Sequence, residues 1–431
     1  MQRKVVIEMK TKKMLTIILI LALTAASAPL CAEVSGRVWP ASYGGAHICL
    51  WKNDALGAIS YTIDDNPALD HDWWIGMSTK YGFKATWFVI TDHVIDGPIG
   101  ANGWGGTWDD WRRLYNLGHD IQSHTVTHHV YEYNIEYEYS YSKQILEEKI
   151  PGNEVLTIAY PAPGTYYTNP EFAKNYYVGG RGVGGLINEA DNIDYMNTYS
   201  IGSFNYDPDF WASIMNILQR NPNHANRVRD YRGWQCMHFH GIEDKKDNLI
   251  EGFEFVKALG DDMWTGKFKE VILYVQERDT ASVNVTKIAV DRIEMSVSDE
   301  KVNSLFDYPL TIKVRLDNSW SAVHAVQSGQ PVESRLINHG GNRYALVNVV
   351  PDKGVAVLTR EGGPYVLILG DVTGDGKVSS YDASLAAQYT VQMVAFDWQQ
   401  IQAADVTQNS TVSAYDASLI AQYAIGLIEG F

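Results

Sequence analysis

The sequence predicts an α/β chain built on a distorted (β/α) barrel, followed by a small β-sandwich-like module and a small α-helical segment made by duplication. Three observations carry this. Across residues 46–285, short apolar runs at 58–63, 85–90, 155–159 and 235–239 alternate with helical stretches such as 108–117 and 253–259, the order expected of β/α units. From about 286 to 360 the pattern turns strand-like. Apolar and charged residues alternate in Thr311-Ile-Lys-Val-Arg-Leu316, and runs at 344–350 and 355–358 flank the turn Pro351-Asp-Lys-Gly354, as in an antiparallel module. Finally, Asp371-Val-Thr-Gly-Asp-Gly-Lys-Val-Ser-Ser-Tyr-Asp382 recurs 34 positions later as Asp405-Val-Thr-Gln-Asn-Ser-Thr-Val-Ser-Ala-Tyr-Asp416.

At the N-terminus, Lys10, Lys12 and Lys13 precede an apolar run at 14–23 and the small residues Ala25-Ala-Ser-Ala28. This predicts a secretory signal peptide over 1–32, too short to span a membrane. Ala28-Pro-Leu-Cys31 lacks the small residue that precedes a lipid-modified cysteine, so anchoring is disfavoured. Cleavage removes five cations and one anion, taking the formal charge from −16 to −20. Such an acidic product has no electrostatic reason to bind nucleic acid or an anionic membrane, and no stable membrane insertion is expected. Cys49 and Cys236 remain; the ends of a barrel meet, so a bridge is conceivable, but two reduced, buried thiols are the expected state.

Chemistry concentrates at Tyr61-Thr-Ile-Asp-Asp-Asn66, where two adjacent carboxylates follow a buried strand. Like charges at close range need a cation or hydrogen bonds to stay ionised. Alone, Asp-Asp-Asn-Pro reads as a turn with a helix cap. A second cluster, Gly118-His-Asp-Ile-Gln-Ser-His124-Thr-Val-Thr-His128-His129, changes that reading. His124 and His128 stand four apart, within reach of a single ion on one turn or tight loop.

Thr62-Ile-Asp64-Asp65 with His124-Thr-Val-Thr-His128 resembles the first two motifs of the NodB-type polysaccharide deacetylases, the family 4 carbohydrate esterases. Gly82-Phe-Lys-Ala-Thr-Trp-Phe-Val89 resembles that family's second strand, Met237-His-Phe-His240-Gly-Ile242 its last catalytic motif, and 264–278 its closing helix. The similarity runs over about 45–284. It implies Asp65, His124 and His128 as ligands of a divalent metal, zinc foremost with cobalt, nickel or manganese also suitable, in a three-ligand site with open positions. It implies Asp64 as the base that takes the water proton and His240 as the acid that protonates the leaving group. His238 lies on the same strand face; His240 is preferred because Gly-Ile follows it. His129 is expected in a supporting or surface position, and His93 and His119 in structural ones.

One motif departs from the family. Where it has an arginine orienting the catalytic aspartate, this chain has Ile158-Ala-Tyr-Pro-Ala-Pro-Gly164, which puts the tuning of Asp64 in question. A backbone N–H of this loop could still serve a developing oxyanion. Tyr160, with Tyr166 and Tyr167, is a candidate sugar floor against a packing alternative, and Trp211 is a weaker substrate-binding candidate.

The C-terminal repeat places oxygen ligands at loop positions 1, 3, 5, 9 and 12 with a backbone carbonyl at 7: Asp371, Thr373, Asp375, Lys377, Ser379 and Asp382, then Asp405, Thr407, Asn409, Thr411, Ser413 and Asp416. That is a calcium loop. The pair resembles a dockerin, which implies docking to a cohesin-bearing scaffold or cell surface. The expected organisation is a signal peptide (1–32), catalytic barrel (33–285), β-rich accessory module (286–363) and dockerin-like domain (364–431). The expected function is secreted, metal-dependent removal of acetyl groups from a polysaccharide, acetylated xylan or an N-acetylglucosamine polymer. A non-catalytic carbohydrate-binding protein on a degenerate barrel is the alternative. A phosphate-ester hydrolase is disfavoured by the lack of a second metal cluster or basic pocket.

Overall fold

The structure is a computed structural model and describes residues 36–95, 104–161, 167–202, 214–219, 230–242, 245–289, 291–360, 367–373, 377–394, 396 and 398–431. The expected signal peptide, Tyr166, Trp211, Asp375 and the loop from Ala162 to Gly164 lie outside these residues. No described helix is long and apolar enough to cross a membrane. The chain divides into two compact units, 1–285 with 296–317 and 337–352, and 286–295 with 318–336 and 353–431. The β-rich segment expected as one module is therefore shared between them.

The first unit is organised by a curled parallel sheet. In chain order its strands are β1 (Gly57–Ile63), β2 (Thr86–Val89), β3 (Asp120–Ser123), β4 (Thr157–Ala159), β5 (Gly179–Arg181), β6 (Ile201–Gly202) and β7 (Trp234–Phe239). Their spatial order is β5-β4-β3-β2-β1-β7-β6, with the short strand Met263–Thr265 also paired to β1. Every residue of β1 and β7 is buried, which is why no charged residue interrupts these segments. Helices α1 (His71–Tyr81), α2 (Trp108–Asn116) and α3 (Ile135–Lys149) make the crossovers between β1 and β4. Thr107 caps α2: its Oγ1 accepts the Asp110 N–H and the Asp110 carboxylate accepts the Thr107 N–H, a reciprocal pair that fixes where the helix starts. The expected closing helix at 264–278 is shorter: Trp264 belongs to the added strand and the helix runs Phe268–Arg278.

Cys49 and Cys236 are both fully buried and free. A separate antiparallel sheet in which Ala46–Ile48, Leu310–Leu316, Asn342–Val349 and Ser334–His339 are neighbours, and a five-stranded one, account for the β-rich segment.

In the second unit, α4 (Ser380–Thr390) and α5 (Ala414–Ala424) repeat one local design. Ser379 and Ser413 cap them, and Asp382 and Asp416, at the last position of each loop, accept both the N–H and the Oγ–H of the capping serine. Asp382 and Asp416 also reach back to the Thr373 and Thr407 N–H groups, so each loop is closed by its own carboxylate. The core beneath is Val372, Ala386, Ala404, Val406 and Ile420. The second loop carries Ser410, at left-handed φ 68°, where the first carries Gly376, and Asn409 in place of an aspartate. Calcium titration of the full chain is expected to resolve two unequal loop sites, the first tighter. Asn409→Asp should tighten the second by roughly tenfold, since ligand charge sets affinity in such loops; equal sites, or no response to the added carboxylate, would contradict this.

Candidate metal centre and active site

The site lies where parallel strands end. Asp64 and Asp65 follow β1, His124 follows β3, Arg181 closes β5 and His240 follows β7. Register makes the convergence specific: Ile63 pairs with Phe239 and Val89 with Ser123. The side chains next in line therefore leave the sheet at one level, on the face where such folds place their chemistry.

Asp65, His124 and His128 come together with one ligand atom each, all within 4.8 Å of one another. His124 Nε2 is 3.2 Å and His128 Nε2 3.6 Å from Asp65 Oδ1. Protonation follows from the neighbours. His124 Nδ1 lies 2.8 Å from the Ala159 carbonyl, which only accepts, so Nδ1 carries the proton and Nε2 of the neutral ring is bare. Asp65 Oδ1 is buried and faces this nitrogen. With Nε2 unprotonated two lone pairs would face each other, so either a proton or a metal ion belongs between them. Burial alone would lower the His124 pKa, but the carboxylates of Asp65 and Asp64 raise it; a proton stands in there for a metal ion. Burial would likewise raise Asp65, yet the imidazoles around it hold its carboxyl well below the usual range. His128 is pushed down to about 4, by burial first and by the neighbouring His124 imidazole second, so its ring is neutral at pH 7, the form that can ligate. The donor set of one carboxylate oxygen and two imidazole nitrogens fits a divalent transition-type ion with open positions.

The backbone is bent to achieve this. Asp65, Asn66, Thr125 and His128 all adopt left-handed φ, 64°, 56°, 70° and 67°, conformations that cost non-glycine residues free energy and persist where surroundings enforce them. Asn66 bridges the strand ends, its Oδ1 accepting the Ile90 N–H and its Nδ2 donating to the Ile90 carbonyl. Glu138 of α3, 1% exposed, accepts the N–H groups of Val126 and Thr127 at 2.9 Å each and the Thr127 hydroxyl at 2.6 Å. Neither Asn66 nor Glu138 was singled out by motif; the polar Glu138 on an otherwise buried helix face was the available signal.

Asp64 is 2% exposed, and its Oδ2 is ion-paired to the guanidinium of Arg181, which lies over the Phe88 ring. Burial opposes ionisation, but Arg181 and the nearby imidazoles outweigh it, so the carboxyl is held below its ordinary value. Oδ1 is buried without a hydrogen-bond partner. The arginine missing from the loop after β4 is thus supplied by the next strand, where Ala159 pairs with Arg181.

Of the two candidate histidines, His240 Nε2 stands 3.5 Å from Asp65 Oδ2 with its side chain about one-third exposed, open to a bound group. His238 is buried, with Nδ1 2.8 Å from Ser200 Oγ, and burial followed by the Arg181 charge pushes it down to about 3. His129 is exposed, and His119 is buried between Ser78 and Ala85. Tyr160 does not floor a sugar site: it is 5% exposed and its hydroxyl donates to the Met196 carbonyl. Its N–H is donated to the Arg181 carbonyl and so does not serve an oxyanion. Tyr167 is exposed.

Residues 52–176 match the family model described as polysaccharide deacetylase. The chain carries a polysaccharide deacetylase domain. Residues 369–424 match the dockerin type I domain. Among curated proteins, gellan lyase from Bacillus sp. is 34% identical over 374 residues, 80% of this chain but 14% of that protein, so the chain spans a small part of that relative. Among solved structures, the Xyl-CE4 domain of a multidomain xylanase from the hindgut metagenome of Trinervitermes trinervoides is 19% identical, covering 48% of this chain and 87% of that one at a TM-score of 0.32. A family 4 acetyl xylan esterase from Clostridium thermocellum, in complex with a cobalt ion, is 15% identical over 50% of this chain and 89% of its own at 0.32. A cohesin–dockerin complex from Acetivibrio cellulolyticus matches at 36% identity over 15% of this chain and 92% of that one, at 0.15.

Two expectations follow for the deacetylase domain. Glu138→Ala removes the acceptor that shapes the 125–128 loop, and metal affinity in equilibrium dialysis should fall about 10–100-fold with the fold retained. Arg181→Met removes the cation that keeps Asp64 ionised; the carboxyl rises, and the acid limb of kcat/KM shifts to higher pH. A limb that stays in place would mean Arg181 does not act on Asp64.

Proposed function

We propose that the chain is a secreted, metal-dependent deacetylase that hydrolyses acetyl groups from a polysaccharide. The observation that carries this reading is the convergence of Asp65, His124 and His128, one ligand atom each within 4.8 Å of one another, set beside the buried carboxylate of Asp64 with one oxygen unpaired. Asp65, His124 and His128 would hold the ion. A divalent ion there, zinc foremost with cobalt, nickel or manganese also suited, supplies Lewis acidity toward the acetyl carbonyl and a more acidic water. The rest is done by side chains. Asp64 Oδ1 takes the proton of the attacking water while Oδ2 stays paired with Arg181. His240, exposed on the other side of Asp65, gives its proton to the amine or alkoxide that leaves. The products are acetate and a free amino or hydroxyl group.

The substrate class is an acetylated polymer: xylan acetylated on oxygen, or an N-acetylglucosamine polymer. The dockerin domain supports delivery to a surface or scaffold through a cohesin, with calcium in its loops. The alternative of a non-catalytic protein on a degenerate barrel was motivated by the missing arginine, and Arg181 against Asp64 takes that motive away.

The test is acetate release by the purified chain from acetylxylan, chitooligosaccharides and gellan, the last because the 34% identical relative is named for it. One divalent ion per chain should be found outside the calcium loops. Chelation should abolish acetate release and readdition restore it, and Asp64→Ala should lower kcat by at least about 100-fold. Unsaturated sugar ends without acetate would instead indicate elimination chemistry and overturn the proposal.

A further inference from the structure

Three residues beyond the last metal ligand candidate, His128, the chain becomes unusually rich in exposed tyrosine. Tyr131, Tyr133, Tyr137 and Tyr141 are all exposed, Tyr133 at 85%. Tyr131 and Tyr133 stack in parallel with centroids 5.4 Å apart, and Tyr137 and Tyr141 stack at 5.1 Å. The core does not explain them, because α3 faces the interior with Ile135, Glu138, Tyr139, Ser142 and Leu146. Large rings in water are costly to keep unless they meet a partner, and flat aromatic faces suit the apolar faces of pyranose rings.

The row is also locked to the metal centre. Glu138 holds the loop that carries His128, and Asn134, one turn earlier, donates to both the His129 carbonyl and the Glu138 carboxylate while accepting the Tyr131 N–H. Tyr167 joins the same strip through its N–H to the Val130 carbonyl. On α3 the spacing of four residues puts Tyr137 and Tyr141 about 6 Å apart along the helix axis, and the stacked Tyr131 and Tyr133 lie just before the helix begins at Ile135. From Val130 to Ser142 there is no lysine or arginine, while Glu132 and Glu136 are exposed, so a polyanionic glycan would be repelled.

We propose that Tyr131, Tyr133, Tyr137 and Tyr141 form a platform on which uncharged pyranose rings of the polysaccharide stack, in fixed register with the metal centre. This rests on the deacetylase reading for the identity of the occupant, and its test separates the two. In the full chain, Tyr133→Ala/Tyr137→Ala/Tyr141→Ala should raise KM for polymeric acetylxylan roughly tenfold and leave kcat for a small aryl acetate unchanged. The matching triple Tyr→Phe variant should keep polymer affinity. Affinity electrophoresis in soluble neutral xylan, which needs no turnover, should show retardation lost in the alanine variant and kept in the phenylalanine one. An unchanged melting temperature verifies folding, and Tyr133→Ala alone, at the most exposed position, gives a milder version of the same readout. Loss of retardation without acetate release from any substrate would uphold the platform and defeat the reaction. Alanine variants that bind and turn over polymer like the parent, or tyrosine-dependent binding of a polyuronate as strong as that of xylan, would overturn the platform.

Discussion

The site in the first unit depends on one close approach, His124 Nε2 held 3.2 Å from Asp65 Oδ1. Neither can turn away. His124 is fixed through Nδ1 to the Ala159 carbonyl, and Asp65 sits on a left-handed residue whose neighbour Asn66 is tied to Ile90 on both its amide atoms. Such an approach is tolerated in a folded chain where a proton or a metal ion lies between the two atoms. The strained φ values at Asp65 and His128 lie beside this approach: conformational cost is concentrated at these residues and met by hydrogen bonds donated to Glu138 and by those of Asn66 with Ile90.

The second carboxylate is handled differently. Asp64 is almost fully buried and receives its counter-charge from the protein itself, through Arg181. A buried ion pair is a weak source of stability, because desolvation of both partners offsets the attraction. What the pair does supply is a carboxylate kept ionised with one oxygen occupied and the other bare. Adjacent residues are thereby given unlike surroundings, Asp65 grouped with two imidazoles and Asp64 paired to Arg181 with one oxygen bare.

This contrast explains what was legible in the sequence. Asp64, Asp65, His124, His128 and His240 announce themselves because contiguous motifs fix their spacing, and the buried runs beneath them follow from parallel strands covered on both faces. Arg181 was invisible because its partner is 117 residues away, and no local pattern ties the end of β5 to the end of β1. Glu138 and Ser200 were missed for the same reason: they act through backbone amides or another side chain across strand ends. Tyr160 was misplaced because a tyrosine after a strand can turn inward as readily as outward, and here Met196 offers its hydroxyl a buried acceptor. The closing helix was drawn too long because Trp264 sits in a short strand beside β1 that its neighbours in sequence do not signal.

The displaced arginine bears on how such a site can vary. Ala159 and Arg181 are direct neighbours across β4 and β5, so a guanidinium on either strand's terminus begins at the same height above the sheet. Arginine is long enough to reach the same carboxylate from one strand further over, here lying across Phe88 on the way. The constraint on the chain is therefore a cation at that height with an apolar support beneath it, and not an arginine at a given place in a motif. A motif scored position by position records a loss at Ala159, whereas the charge and the height are both retained. Judging whether a barrel of this kind can keep its base ionised requires following the strand register outward from the aspartate, because the neighbouring strand can restore what the loop lacks.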